Sequence, residues 1–495
     1  MRKGEARSGF APEERKLLDM DRRIRGGKQK KRRRWLTSLA AWLLASVTLC
    51  AGAPAVLAAG DGLNAERPRQ LQSEIVEWKR AAGGENLLLA GDVLDSAGGA
   101  GSDWVAFNIS RIGMEDNQAA YLSRLRDAVE KIYEDTETSA KRYNLSDLHR
   151  LVLTVEACGG DPTSFGTDPE GNPIDLLEDS TWNSIWGDPG RQGINGYIWA
   201  LLTVDSKGWE EPEGAQWTRE DLVTSLLSRQ LADGGFGLVL TDDSDVDLTS
   251  MALTALAPYG NSDKTYTFTS AVTKEEVTVT VDQAAEKAFA CMAGMQKEDG
   301  TMLTYGLSTS ESTSWAMVAL AAWGREPETD QAFIKNGNTL LDGLEIFSQE
   351  DGSIAHSLDD DALLMEEEGG GTGGNNMASY QAVYALEAVC RLREGKCGLF
   401  DLSDAPTVTE EEINEAGASL PELVEEEEKT GAEVQAETSD RMVFMTAIIA
   451  AAVVLVAAVF VVLVLRDRKK KKAGKALPGA GDGEEPSWED DDEDW

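Results

Sequence analysis

Two kinds of helical segment alternate along residues 67–402 of this 495-residue chain, and this alternation constrains the fold more than any other feature. One kind is amphipathic: in Arg219–Gln230, the apolar residues Leu222, Val223, Leu226 and Leu227 form one stripe with polar residues opposite. The other kind is apolar or small on every side, which requires burial all round. Helices of the first kind have one face in contact with solvent, whereas those of the second kind are enclosed on all sides. Their alternation along the chain predicts two concentric layers, with the enclosed helices inside.

The numbers of the two kinds nearly match. The amphipathic segments are Leu71–Ala81, Tyr121–Glu134, Arg219–Gln230, Val281–Gln296 and Leu340–Gln349. The enclosed segments are Asp103–Gly113, Ser146–Cys158, Asn195–Val204, Asp247–Tyr259, Ser312–Trp323 and Met377–Leu392. A sixth outer helix is predicted near Asp175–Trp186. We therefore predict an all-α chain folded as an α/α toroid, a closed ring of about six inner and six outer helices.

The joints that lead from an outer to an inner helix also repeat. Gln230–Phe236 has the pattern Gln-x-x-Asp-Gly followed by an apolar residue, which recurs in Gln296–Met302 and, one residue shorter, in Gln349–Ile354. Asp-Gly favours a tight turn with positive φ, and the apolar residue anchors the chain on the core. Residues 264–281 interrupt the helical pattern with alternating Thr, Val and aromatic residues, which predicts an inserted β-hairpin.

The two ends of the chain carry targeting signals. A basic cluster at Lys28–Arg34 precedes the apolar run Trp35–Ala59, so residues 1–59 are predicted to be a cytoplasmic n-region and signal peptide. Residues 443–465 lack charge and are long enough to span a bilayer, and the basic residues that follow place the tail 466–495 in the cytoplasm. Residues 403–440 are predicted to be an acidic, disordered stalk. The toroid, 67–402, would then lie outside the cell on a single-pass membrane anchor.

Charge and cysteine content limit the possible partners. The formal net charge of −40 repels phosphate backbones, which excludes nucleic acid as a partner. The spacing of the five cysteines fits no zinc pattern. Cys390 and Cys397 could pair across a glycine-containing turn in an oxidising compartment, and free thiols are the alternative.

The repeated turns, together with the helix that begins Asp247-Leu-Thr-Ser-Met-Ala-Leu, resemble the prenyltransferase and squalene-cyclase-like α/α-toroid superfamily. The segment Leu153–Phe165 resembles bacterial surface members, which are similar to the helical domain of cobalamin carriers. The resemblance covers about residues 67–402, most of the predicted ectodomain, and implies the toroid fold. It leaves function open, because this fold hosts transferases, cyclases and proteins that only bind.

Asp245 and Asp247 are the candidate catalytic residues. Asp245-Val246-Asp247-Leu248 resembles the Asp-x-Asp-Asp acid motif of the cyclases, with Asp247 at the proton donor and Asp245 at a supporting carboxylate. Leu248 stands where the family has its last Asp. The favoured alternative is that Asp247 caps the inner helix through its side-chain oxygen.

Metal chemistry has little support in the sequence. The zinc site of prenyltransferases needs Asp, Cys and His together, but only His149 and His356 are present and no cysteine lies in a matching setting. We therefore predict no metal site, although irregular Ca²⁺ binding at Asp242–Asp247 or Asp359–Asp361 stays open.

Because all inner helices begin at one end of the ring, that mouth is the predicted ligand-binding site. The candidate ligand-binding residues near these helix starts are Trp104, His149, Tyr197, Asp247, Trp315 and Tyr380. Three hypotheses remain. The first is a surface receptor without catalysis, which binds a small molecule, such as a corrinoid, or a protein. The second is a cyclase-like enzyme that uses Asp247 as general acid and needs a deep apolar cavity. The third is a structural or adhesion module of the envelope.

Overall fold

The computed structural model describes residues 64–83, 86–240, 243–359 and 373–421. The predicted signal peptide, transmembrane segment 443–465 and cytoplasmic tail lie outside these residues. None of the helices in the described ranges combines the length and apolar character needed to cross a bilayer.

Within these ranges the structure is mostly helical. In chain order the helices are α1 (Glu66–Gly83), α2 (Gly91–Asp95), α3 (Ala100–Ile112), α4 (Gln118–Tyr133), α5 (Thr136–Arg142), α6 (Leu145–Ala157), α7 (Ile194–Asp205), α8 (Arg219–Leu227), α9 (Val246–Leu256), α10 (Val281–Ala293), α11 (Ser310–Ala322), α12 (Leu340–Glu345), α13 (Asn376–Glu394) and α14 (Glu410–Ala418). The strands are β1 (Thr265–Thr269), β2 (Glu276–Thr280), β3 (Met302–Thr304) and β4 (Leu307–Thr309).

Six helices form a closed inner ring. Each of α3, α6, α7, α9, α11 and α13 packs against the next in this order, and α13 packs back against α3. Outside them, α4 covers α3, α8 covers α7, α10 covers α9, α12 covers α11 and α1 covers α13. A short π-helix, Glu178–Trp182, covers α6 at the place where the sixth outer helix was predicted. This double-walled ring is an α/α toroid.

The three Asp-Gly turns lock each outer helix to the next one around the ring. Gly234, Gly300 and Gly352 all have φ between +91° and +97°. A Cβ on Gly234 would lie 2.7 Å from the Lys287 oxygen of α10, and one on Gly300 would lie 2.2 Å from the Thr339 oxygen before α12. Only glycine permits both the backbone conformation and this close approach.

The residue after each turn anchors the chain on the inner helix that follows. Phe236, Met302 and Ile354 are completely buried. Their backbone N–H groups donate to hydroxyls on the fourth residue of the next inner helix: Thr249 at 3.0 Å, Thr313 at 3.1 Å and Ser379 at 3.0 Å. The predicted role of the turn glutamine is also present, since Gln230 Nε2 donates to the Gly234 oxygen at 2.7 Å.

The seam between the first and last hairpins closes through α1. A Cβ on Gly352 would lie 2.8 Å from the Glu74 oxygen of α1. Arg67 of α1 donates to Glu345 at 2.7 Å and to Glu328 at 2.8 Å. The first outer helix is thus held by residues more than 250 positions later in the chain.

The predicted hairpin at 264–281 is present as the antiparallel pair β1 and β2. A second short hairpin, β3 and β4, lies in the joint before α11 and was not predicted. Its strands have only three residues each, which is too short for an alternating pattern to be recognised.

The start of the predicted stalk at residue 403 requires correction. The compact unit continues to Ile413, which is buried. Asp404 pairs with Arg111 at 2.7 Å and also with Arg391, while the Val408 N–H donates to the Gly159 oxygen at 2.8 Å. Two buried arginines that need a carboxylate thus hold this acidic segment on the ring. Of the second unit, which begins at Asn414, the structure describes only 414–421, containing the end of α14.

Candidate functional site

Aromatic side chains from four inner helices meet in the centre of the ring. Trp104 of α3 and Trp199 of α7 have their ring centroids 5.5 Å apart, and Trp315 of α11 lies 5.3 Å from Tyr384 of α13. Phe400, from the segment after α13, enters this group and stacks parallel to Trp315 at 6.3 Å. We call these five residues the central aromatic cluster.

The central aromatic cluster fills the space that a cyclase would need. Trp315 and Tyr384 are almost completely buried, and Phe400 is 7% exposed, so the aromatic rings contact one another instead of enclosing a void. Carbocation chemistry needs an apolar cavity of substrate size bounded by such rings. Among the described residues, none of the four principal cavities is lined by Trp104, Trp199, Trp315 or Tyr384. Phe400 lines one of about 710 Å³ at the other end of the ring, where the inner helices end.

The end of the ring where inner helices begin, which we call the mouth, is acidic. Asp245 is the N-cap of α9, because its side chain accepts from the Leu248 N–H at 2.8 Å. The capping role suggested for Asp247 is therefore filled by Asp245, since α9 begins one residue earlier than predicted. The Tyr305 hydroxyl also donates to Asp245, at 3.1 Å.

Asp247 does not cap the helix, and its carboxylate is only partly hydrogen-bonded. Its Oδ1 is buried and, among the described residues, has no hydrogen-bond partner. Burial and the nearby charges of Asp245 and Glu311 raise its pKa to about 7, while Ser312 opposes the shift. An acid with this pKa changes its charge near neutral pH.

Beside Asp247 lies a carboxylate–imidazole pair. His356 Nδ1 is 2.9 Å from both carboxylate oxygens of Glu311. Glu311 is 5% exposed, and its hydrogen bond raises the pKa of His356. His356 comes from the joint before α13, whereas Glu311 belongs to α11, so the pair links neighbouring repeats.

Equivalent positions on three neighbouring inner helices present acceptors at the mouth. Asn195, Asp247 and Glu311 are each the second residue of their helix. Asn195 Oδ1, like Asp247 Oδ1, is buried with no partner in the described part of the chain. Buried acceptors without donors carry a desolvation cost, which a donor-rich ligand would remove.

An apolar rim surrounds these acceptors. All the exposed large apolar side chains of the described residues lie in, or directly beside, joints that lead from an outer to an inner helix: Leu87, Ile185, Leu238, Val239, Leu240, Leu303, Tyr305, Ile346, Leu358 and Met377. Tyr305 is the most exposed, at 72%. The opposite end of the ring has none among these residues, so the asymmetry marks one face.

The structure does not bring His149 and Tyr197 to the mouth. His149 is fully buried, its Nε2 lies 3.1 Å from the Ser180 oxygen, and burial lowers its pKa to about 3. The Tyr197 hydroxyl donates to Asp188 at 3.1 Å, and the Arg229 guanidinium lies 4.7 Å from its ring centre. Both side chains therefore pack against the outer layer.

The other candidates divide between the centre and a lateral cavity. Trp104 and Trp315 belong to the central aromatic cluster, whereas Tyr380 lines a cavity beside α1. Only Asp247 and Asp245 of the predicted residues belong to the acidic mouth. Sequence reasoning missed Glu311 and His356. Glu311 has the same position in its inner helix as Asp247, and His356 lies two residues after the third repeated turn, and both facts were usable signals.

Cys390 and Cys397 are free thiols. Arg391 Nη2 donates to Cys397 Sγ at 3.1 Å, so this sulfur accepts a hydrogen bond from the arginine and does not form a disulfide. In the described residues no cluster of three or more His, Cys, Asp or Glu could hold a metal ion. Asp359 accepts from the Ser308 N–H at 2.9 Å.

No family model matches the chain, and no curated protein matches it. Among solved structures, it is similar to the protein geranylgeranyltransferase-I of Candida albicans complexed with GGPP, at 13% identity and a TM-score of 0.40, covering 72% of this chain and 99% of that one. It is also similar to a protein from Actinoplanes, at 15% identity and a TM-score of 0.38, covering 66% and 99%. These low scores leave the toroid assignment to rest on the helix contacts above. Neither protein is described as a cobalamin carrier, so that resemblance stays a prediction.

Proposed function

We propose that this protein is a non-catalytic binding module whose mouth takes a basic side chain of a partner protein. The observation that carries the proposal is the apolar rim around buried, unpartnered acceptors. Asn195 and Asp247 offer oxygens, and Glu311 adds a second carboxylate. Arg and Lys side chains present only donors, so they complement such a site.

The rim supports a peptide or protein partner over a small solute. Apolar side chains spread over several joints match residues that flank a basic anchor, as in interfaces with a polar centre and apolar neighbours. Tyr305 joins both parts, because its ring is exposed and its hydroxyl bonds Asp245. Docking would cover the rim and desolvate the acidic centre together.

The wider setting belongs to the same proposal. A signal peptide and the segment 443–465 would hold the toroid outside the cell, where the mouth meets its partner. Corrinoid capture is the small-molecule version, and titration of the purified chain with cobalamin tests it. Absence of binding at micromolar protein removes that version and leaves the peptide version intact.

A mixed set of fluorescein-labelled heptapeptides tests the peptide version. Each peptide has arginine at its centre, flanked by Leu, Val or Phe, and a matched set has citrulline, which keeps the shape but lacks the charge. Fluorescence anisotropy with the full chain should show tighter binding of the arginine set. Asp247→Asn should weaken it by about tenfold or more, since a buried charge partner is lost.

The control removes a carboxylate from the opposite end of the ring. Glu213 is exposed in the joint between α7 and α8, so Glu213→Gln should leave the anisotropy curve unchanged. Equal affinity for the arginine and citrulline sets would refute the proposal. An envelope module would instead retain partners from membrane extracts whether or not Asp247 is changed.

The cyclase hypothesis is the second candidate, and Asp247 with its pKa of about 7 is the feature in its favour. The central aromatic cluster argues against the cyclase hypothesis, because its side chains occupy the centre of the ring where a substrate would have to bind. Incubation with squalene or a prenyl diphosphate, followed by mass spectrometry of the extract, should show no cyclised product.

A further inference from the structure

A lateral cavity lies away from the acidic mouth, between outer helix α1 and inner helices α3 and α13. Its volume is about 470 Å³, within the size range of small-molecule sites. Its walls are mainly aliphatic: Ile75, Val76, Val93, Val105, Ile109 and Val383. Asp245, Asp247, Glu311 and His356 do not line it.

One buried polar atom of a residue that lines this cavity has no partner among the described residues. Asn108 is 4% exposed, and its Nδ2 donates to the Tyr380 oxygen at 2.9 Å. This bond fixes the amide orientation, because a flipped amide would place two acceptors against each other. Oδ1 is therefore the acceptor left over, and it has no hydrogen-bond partner in the described ranges.

Charges at the cavity are already balanced. Lys79 donates to Asn376 Oδ1 at 2.9 Å, and the carboxylate of Asp92 lies close enough to act on it. Burial nevertheless lowers the pKa of Lys79. Because this ammonium has partners, the cavity does not demand an anion, and its remaining need is one donor for Asn108.

The joint that walls the cavity differs from the other outer-to-inner joints. The three joints with Asp-Gly turns insert a buried Phe236, Met302 or Ile354 at the inner helix. In the first joint, the N–H that reaches the fourth residue of the inner helix belongs to Gly98, which donates to Asp103 at 2.9 Å. Gly98 brings no side chain, and α2, which lies within this joint, forms a wall instead.

We infer that this lateral cavity binds a neutral, mainly apolar molecule with one hydroxyl or N–H group, which donates to Asn108 Oδ1. The aliphatic walls supply affinity and the amide oxygen supplies selection for a donor, since a buried acceptor facing an ether or alkane stays unsatisfied. The inference does not depend on the proposed function, because the mouth residues take no part.

N-Phenyl-1-naphthylamine, a neutral fluorophore with one N–H group, is the probe. Its fluorescence should rise on binding to the full chain, and 1-decanol should displace it. The methyl ether of 1-decanol has the same apolar body without a donor, and it should need about tenfold higher concentration. Displacement by alcohol and ether at equal concentration would overturn the inference.

Two substitutions connect the signal to this cavity. Val93→Trp on α2 fills it from a half-buried position and should abolish the fluorescence rise, with the melting temperature as a check on folding. Asn108→Leu keeps the volume and should make the alcohol and the ether equivalent. An unchanged alcohol preference in Asn108→Leu contradicts the assignment of the acceptor.

The rim provides the control for nonspecific apolar binding. Tyr305→Ser removes its most exposed aromatic ring and should leave probe binding unchanged. Loss of the probe signal in Tyr305→Ser, with retention in Val93→Trp, would place the probe at the mouth and sink the inference. An alcohol preference that is absent from the wild-type chain would mean that Asn108 is satisfied by a water molecule.

Discussion

At the residue scale, buried polar side chains decide both stability and function. Both carboxylate oxygens of Asp103 accept hydrogen bonds: Arg150 donates at 2.8 Å, the Tyr121 hydroxyl at 2.7 Å and the Gly98 N–H at 2.9 Å. Asp247 is the opposite case, because one of its buried oxygens has no partner within the described residues. A satisfied carboxylate supports the fold, whereas an unsatisfied one stores a cost that a ligand can remove.

Replacement of Asp247 should stabilise the protein in a pH-dependent way. The pKa of Asp247 is raised to about 7, so the folded state holds a proton that the unfolded state releases, and stability falls as pH rises from about 4 to about 7. Asp247→Asn removes this loss. The free energy of unfolding at pH 8 should rise by at most about 4 kcal/mol.

Urea denaturation followed by tryptophan fluorescence measures this effect. At about pH 3, where the Asp247 carboxyl is mostly protonated in both the folded and the unfolded state, the pH-dependent difference between variant and wild type should be lost. A variant that is less stable than the wild type at pH 8 would contradict the buried, unpaired state of this acid.

The buried ion pair should respond in the opposite direction. Asp103→Asn removes the fully buried carboxylate that pairs with Arg150 and leaves this largely buried guanidinium only the more exposed Asp147, so the free energy of unfolding should fall by about 3–5 kcal/mol. The surface pair of Lys141 and Glu137, at 3.8 Å, is the control, and Glu137→Gln should change it by less than about 1 kcal/mol. Equal effects of the two substitutions would show that Asp103 is not the support described here.

At the element scale, the Asp-Gly turns determine how one hairpin docks on the next. Gly300 and Gly306 have nearly the same φ, +93° and +89°, but differ in surroundings. A Cβ on Gly300 meets backbone of the following outer helix, whereas one on Gly306 meets nothing within 4 Å. A comparison of substitutions at Gly300 and Gly306 therefore distinguishes the cost of backbone strain from the cost of a steric clash between two elements.

Both glycines should therefore be replaced by alanine. Gly306→Ala adds only the strain of a left-handed backbone, about 1–2 kcal/mol. Gly300→Ala should cost at least about 2 kcal/mol more, because α12 must move away. Thermal unfolding of both variants measures the difference, and equal melting temperatures would exclude the proposed docking role of Gly300.

The sequence predicted elements better than it predicted where side chains point. Local patterns in the sequence indicate the enclosed and amphipathic segments, the Asp-Gly turns and the hairpin at 264–281. The ring of helices could therefore be predicted from the sequence. The inner helices begin one to three residues earlier than predicted, which moved the capping role from Asp247 to Asp245. Which side of a helix faces the mouth is set by packing against its neighbours, so a predicted helix start did not reveal that His149 and Tyr197 face the outer layer.

At the scale of the whole molecule, the central aromatic cluster acts as a plug. Phe400 enters from the segment after α13, and Asp404 is held by Arg111 and Arg391 just beyond it. Long-range contacts of this kind leave no local signature, so the sequence placed the end of the domain at 402. The same limit hid the pairing of Glu311 with His356, which joins residues 45 positions apart.

Removal of the plug should destabilise the ring. Phe400→Ala empties a site beside the rings of Phe107, Trp199 and Trp315 and should lower the free energy of unfolding by about 3–5 kcal/mol. Phe268→Ala deletes the same side chain from the hairpin strand β1, where it is half-buried, and should cost less. Urea midpoints report both, and a Phe400→Ala midpoint at or above that of Phe268→Ala would show that the centre does not depend on the plug.

The seam at α1 has a consequence for the order of synthesis. This helix rests on α13 and is tied by Arg67 to Glu328 and Glu345, more than 250 positions later in the sequence. A ribosome delivers α1 long before those partners exist. Until α13 emerges, the ring is open, and the apolar surfaces at its two ends lack their partners. α1 can therefore reach its final packing only after α13 has been synthesised.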